Sequence, residues 1–195
     1  MLRFIISSML VLSSTISFAR QSIEWDGIYQ IKLADFQSPS TQIGEVNMYS
    51  LYAASGFEFS FHMSSAEFAF TKNFNSKVNC VFRPSLASLV APDTLSALRL
   101  VALARYDFDL NELYARKFRK QLYENKGAFS SASFFQPLYD QVQKEFLERS
   151  VAANQETQFG QDKEKLKELH DAVLKEVEEL SDFCKACKPL KKKNR

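Results

Sequence analysis

The hydrophobic period of this chain changes once, and the change divides it in two. Phe57, Phe59, Phe61 and Met63 alternate with Glu58, Ser60 and His62. A period of two puts the aromatic side chains on one face of a strand and the polar ones on the other. Phe68 and Phe70 repeat the pattern after Ser64-Ser65, so the spacing predicts a hairpin whose second strand covers residues 67–71. Further strands are expected around residues 28–33, 45–52 and 78–83, with a loop at Ser38-Pro39-Ser40 and a turn over 73–77.

After Pro92 the period becomes helical. Leu95, Leu98, Ala102 and Leu103 share one stripe, with Asp93 or Thr94 as the cap. Asp107-Phe108-Asp109 is expected to kink or break this run. Asp109 and Glu112 have the spacing of a capping box for a new helix, which would turn Leu110, Leu113, Tyr114 and Leu122 inward and end at Gly127. A third helix is expected over 133–153, with Pro137 tolerated near its start and Phe135, Leu138, Tyr139, Val142 and Phe146 on its stripe. Residues 154–160 read as a polar linker. In the last predicted helix, 162–187, the residues Leu166, His170, Val173, Val177, Leu180, Cys184 and Cys187 alternate spacings of 4 and 3. Such an a/d seam predicts antiparallel packing on another helix, or a helical dimer.

The expected fold class is therefore α+β. A small antiparallel meander of about five strands, in residues 20–90, is followed by and packed against a bundle of three to four helices in residues 91–187. A sheet with one apolar face requires a cover, and the helices provide it.

The N-terminus reads as an export signal. Arg3 supplies the positive start, residues 4–17 are apolar or small and uncharged, and Ser17-Phe18-Ala19 places small residues at the −3 and −1 positions of a cleavage site. The apolar run is shorter than the roughly 20 residues that a membrane-spanning helix needs. Residues 1–19 are thus expected to be removed, leaving a secreted or periplasmic protein that begins at Arg20 and has no transmembrane segment.

Charge is distributed unevenly. The formal net charge is +2, yet six Lys or Arg and no acid lie in the last eleven residues. Residues 188–195 are expected to be a basic, disordered tail. An acidic body repels phosphates, so nucleic acid is not an expected partner. The five glycines are isolated, and no phosphate-binding loop can be assembled from them.

Cys80, Cys184 and Cys187 are the candidate disulfide or redox residues. A C-x-x-C pair can form an exchangeable disulfide. Here it is predicted at the far end of a helix, where the dipole disfavours a thiolate. In an oxidising compartment the expected arrangement is a bridge from Cys80 to Cys184 or Cys187, stapling the β part to the last helix. The segment Cys184-Lys185-Ala186-Cys187, after a helical stretch, resembles the haem-attachment end of the cytochrome c-prime family. That resemblance implies a His directly after the second Cys, and Lys188 stands there instead. Metal binding is not expected, because His62, His170 and three cysteines are too few and too dispersed in sequence. His170, on an apolar seam, reads as a satisfied core histidine, and Asp107 and Asp109 read as solvated faces or caps.

No residue is assigned a catalytic role, and no cofactor is expected. The reading that follows is an exported, non-enzymatic binding or accessory protein of the cell envelope or extracellular space. Its partner would be another protein, or a second copy through the C-terminal helix. The alternative is an envelope thiol-disulfide protein using Cys184 and Cys187.

Overall fold

The computed structural model describes residues 22–60, 63–127 and 130–189. The expected signal peptide, Phe61, His62 and the end of the basic tail lie outside the described residues.

One helix organises the molecule. Helix α2, Thr94–Asn125, has 32 residues and is about 48 Å long at about 1.5 Å per residue. Asp93 caps it: its Oδ1 accepts the Ser96 N–H at 2.7 Å and its Oδ2 accepts the Ser96 hydroxyl at 3.2 Å. Leu100, Leu103, Leu110, Leu113, Phe118 and Leu122 are all buried, and they point in different directions around the helix. A helix apolar on nearly every side must be enclosed on nearly every side.

The enclosure comes from two sheets and two helices. Strands β1 (Ile23–Glu24), β5 (Val78–Phe82) and β4 (Ser55–Phe59) form one antiparallel sheet in that order. Strands β2 (Gln42–Ile43), β6 (Ser88–Ala91) and β3 (Ser50–Tyr52) form the other, with β2 parallel and β3 antiparallel to β6. The short helix α1 spans Ser65–Phe70. Helix α3, Phe135–Glu156, runs antiparallel to α2, because Phe118, Tyr114 and Asp107 meet Tyr139, Phe146 and Ser150 in that order.

Helix α4, Lys163–Glu179, runs parallel to α2. Arg99, Asp109 and Arg116 bond Gln161, His170 and Val177, so both chains advance together. The expected seam is real over Leu166, Val173 and Val177, all buried. Its partner is α2 of the same chain, and the packing is parallel rather than antiparallel. The turn before α4 makes this possible. Gly160 has φ +80, and a Cβ there would lie 3.3 Å from both Arg99 O and Leu103 Cβ, so the turn presses directly on α2.

An aromatic cluster joins the first sheet to the helices. Phe57 and Phe59 on β4 contact Phe118 on α2, Phe57 also meets Tyr139 and Phe146, and Phe59 meets Phe135 at 4.7 Å between ring centroids. The alternation read from the sequence holds in β4, where Phe57 is buried and Glu58 exposed.

The α+β class with a β-rich first part and a packed helical second part is observed. Several expected details differ. Among the described residues the strands are six and form two sheets of three, not one meander of about five. Residues 67–70 are helical and Thr71 is an extended cap, not the second strand of a hairpin, because Ser64 Oγ accepts the Glu67 N–H at 3.2 Å and caps a turn of helix. Residues 28–33 form no strand: Asp26 accepts the backbone N–H groups of Ile28 and Tyr29, and this local turn competes with pairing. Helix α2 does not break at residues 107–109. Both aspartates there find partners on other elements, so neither terminates the helix. Helix α4 stops at Glu179, short of the cysteines. Acidic Glu176, Glu178 and Glu179 crowd its negative end with no basic residue in the last turn, which disfavours continuation.

Candidate functional site

Two places on α2 gather side chains with chemical potential. The first is a groove of about 440 Å³ between the N-terminal halves of α2 and α4. Leu95, Leu98, Arg99, Ala102 and Arg105 line it from α2, and Lys163, Leu166, Lys167 and His170 line it from α4. Each set follows helical spacing, so each is one continuous face. Leu95 and Leu98 are 56% and 51% exposed. Of the stripe expected to enter the core, Leu103 is buried, while Leu95, Leu98 and Ala102 line the groove instead, because Ala97, Leu100, Val101 and Ala104 occupy the other inward positions.

The groove rim is basic. Arg99, Arg105, Lys163, Lys167 and His170 contribute to the lining, and no acid does. Two of these groups are fixed in place: Arg105 Nε donates to Ile31 O at 2.7 Å, and Arg99 Nη1 donates to Gln161 Oε1 at 2.6 Å. Arg99 Nε and Gln161 Nε2 are both buried and have no hydrogen-bond partner among the described residues. Lys167 pairs with Asp171 in an exposed i, i+4 contact, which holds it only weakly.

At one end of the groove His170 Nε2 lies 2.6 Å from Asp109 Oδ2, and Trp25 Nε1 donates to Asp109 Oδ1 at 2.6 Å. The Tyr106 ring meets the His170 ring edge-on. His170 is therefore satisfied, as expected for a seam histidine, and Asp109 is its partner. Asp109 and Asp107 are not solvated caps. Asp107 accepts the Ser55 hydroxyl at 2.5 Å and the Asn111 amide at 3.3 Å, with the Ser150 hydroxyl at 3.5 Å. Burial pushes the Asp107 carboxyl above the ordinary carboxylate range, against the Ser55 and Ser150 hydrogen bonds that pull it back.

The second place holds the cysteines. Cys184 is bonded to Cys187 with Cα atoms 5.0 Å apart, and Cys80 is an unpaired, buried thiol. The expected staple from Cys80 is absent. Cys80 faces α2, where its thiol donates to Phe108 O, and the C-terminal pair closes on itself in a turn. Cys80 and Cys184 do line one cavity of about 420 Å³, together with Trp25, Glu112, Arg116 and Arg119. Burial raises the Cys80 pKa well above the usual thiol value, and the Glu112 carboxylate raises it further while Arg119 opposes this. Since the thiolate is the nucleophile, Cys80 is held inert.

The cavity wall is an ion cluster that sequence reasoning missed. Glu112 Oε1 accepts from Arg116 Nε at 2.9 Å and from Arg119 Nη1 at 2.8 Å. The same guanidinium groups donate onward, Arg116 to Val177 O, and Arg119 to Val78 O and Phe183 O. Asn75 Nδ2 donates to Asp182 O and Cys187 O, and Asn73 Nδ2 also donates to Cys187 O. Side chains from the β part and α2 thereby hold the backbone after α4 and place the disulfide. The E-x-x-x-R-x-x-R spacing of Glu112, Arg116 and Arg119 was a readable signal, since i, i+4 and i, i+7 positions share a helix face.

Among the described residues no helix is long and apolar enough to cross a membrane. No family model, no curated protein and no solved structure matches the chain.

Proposed function

We propose that this chain is an exported, non-catalytic binding protein of the cell envelope or extracellular space, and that its partner docks in the α2/α4 groove. The groove carries the reading. It places Leu95 and Leu98, both about half-exposed, at the foot of a basic rim. Its volume lies within the roughly 300–1,000 Å³ of ligand sites in proteins. The signal-like N-terminus and the disulfide suit an oxidising compartment outside the cytoplasm.

A photoreactive residue at position 98, with position 147 on an exposed face of α3 as the control, tests this in the native host. The expected result is a discrete adduct from position 98 in the exported fraction and none from position 147. Mass spectrometry of that fraction is expected to show a chain beginning at Arg20. Equal labelling at both positions, or none at either, would remove the groove as a docking site. A retained chain carrying residues 1–19 would remove export.

A second reading is supported by one observation, the half-exposed Cys184–Cys187 bond. It would make the chain a thiol-disulfide protein. Against it, Cys184 follows a short 3-10 turn, Ser181–Phe183, rather than opening a helix whose dipole would favour a thiolate. The variant C184S/C187S separates the two readings. Opening so short a loop is expected to cost at most about 2 kcal/mol, on loop-entropy grounds, with no change in turnover of a test disulfide. Wild-type reductase or isomerase activity that the double variant lacks would instead establish the redox role.

A further inference from the structure

We infer that the occupant of the α2/α4 groove is a free fatty-acid chain, with its carboxylate at Arg99 and its hydrocarbon on Leu95, Leu98, Ala102 and Leu166. The inference rests on the groove being the docking site and adds the chemistry of what enters it.

Three observations converge on an anionic amphiphile. The first is the floor. Leu95 and Leu98 are half-exposed leucines on the same helix face as Ala102, and Leu166 faces them from α4. Such a strip gains free energy when a hydrocarbon chain covers it, at about 25 cal/mol per Å² of apolar surface removed from water.

The second is the sign of the rim. Arg99, Arg105, Lys163 and Lys167 are basic side chains, and no acidic side chain lines the groove. The alkyl stems of the lysines extend the apolar wall while their ammonium groups stay in water. A neutral ligand would gain nothing from this charge, and a cationic one would be repelled.

The third is a guanidinium held in place. Arg99 lines the groove, and its Nη1 donates to Gln161 Oε1 at 2.6 Å, so the group is positioned before any ligand arrives. A carboxylate offers two oxygens in a plane, the geometry that a guanidinium fork matches best. Fixed by its bond to Ile31 O, the Arg105 guanidinium adds charge from the same wall.

The test is calorimetric titration of the mature protein with dodecanoate, with its uncharged glyceryl ester as the neutral comparison and an acidic, leucine-containing peptide as a third arm. Dodecanoate is expected to bind in a single class of site, with affinity falling as salt rises. The ester is expected to bind at least about tenfold more weakly, since it lacks the charge-assisted bonds. The variant K163E/K167E reverses two exposed charges that hold no buried structure, and it is expected to weaken dodecanoate by about tenfold or more. Leu98→Asp, at a half-exposed position, is expected to abolish binding while the thermal midpoint stays close to wild type. Equal affinity for acid and ester, or dodecanoate binding that neither variant alters, would overturn the inference. So would no binding of dodecanoate. If the peptide alone binds, or position 98 still gives a discrete adduct, the docking site stands and only the fatty-acid occupant falls. If nothing binds and no adduct forms, both fall together.

Discussion

Glu112→Ala is expected to destabilise the fold by about 3–5 kcal/mol, the usual cost of removing one partner from a buried ion cluster. Glu112 is 3% exposed and is the carboxylate for two buried guanidinium groups, those of Arg116 and Arg119. Removing it strands two positive charges in a poorly solvated place. They retain their bonds to the carbonyls of Val177, Val78 and Phe183, and Arg116 its place over the Trp25 ring. Val177 and Phe183 belong to α4 and the segment after it, so the damage is expected to spread to the C-terminal turn. Urea denaturation followed by circular dichroism reads the loss directly. Glu112→Gln, which keeps one acceptor, is expected to fall between wild type and Glu112→Ala. Replacing all three residues with apolar ones of similar volume is expected to cost far less than Glu112→Ala, because no charge is then left without a partner. A loss below about 1 kcal/mol for Glu112→Ala would mean that water reaches the guanidinium groups, since that is the size of an exposed pair.

Phe118→Ala is the other large effect, at about 3–5 kcal/mol. Phe118 is fully buried and touches Phe57, Phe59 and Tyr139, so it joins α2 to the first sheet and to α3. Its removal leaves a cavity lined by rings, and aromatic side chains fixed by several neighbours collapse poorly into a gap. Phe118→Leu is expected to recover more than half of the loss. A double-mutant cycle with Phe59→Leu should show coupling, because the Phe59 and Phe118 rings meet edge-on with centroids 5.4 Å apart. Additive losses in that cycle would mean that the two rings do not share a packed contact. Equilibrium denaturation in guanidinium chloride provides all four stabilities.

Legibility followed exposure. Strand β4 was readable because one face meets the core and the other meets water, which writes period two into the residues. The apolar α4 stripe was readable for the same reason, through Leu166, Val173 and Val177. Helix α2 was readable in part. Leu103, Leu110, Leu113, Tyr114 and Leu122 face inward as expected, whereas Leu95 and Leu98 face outward, because a helix enclosed on nearly all sides carries apolar residues at most positions and no single stripe stands out. The kink expected at Asp107 and Asp109 failed because both aspartates are paired across elements, with Ser55 and Ser150 for one and Trp25 and His170 for the other. Helix α1 is masked in the sequence, although Ser64 and Glu67 have capping-box spacing, because Phe68 and Phe70 continue the alternation; Phe70 is 90% exposed.

Of the candidate site, the residues were visible and the grouping was not. Cys80, Cys184 and Cys187 stood out as types, yet a pairing across about a hundred residues depends on which face of β5 Cys80 occupies. The groove was invisible because it needs α2 and α4 to run parallel, and that direction depends on the turn at Gly160. By itself the sequence determined the α+β class, the order of its β-rich and helical parts, the apolar faces of β4 and α4, and the start of α2 at Asp93-Thr94. These are local properties, set by backbone periodicity and by hydrogen bonds within a few residues. Only the tertiary structure decided the direction of α4, the disulfide partner, the buried Glu112 cluster and the basic groove. Each of these depends on side chains brought together from distant parts of the chain, and burial by one element decides the environment of a residue on another.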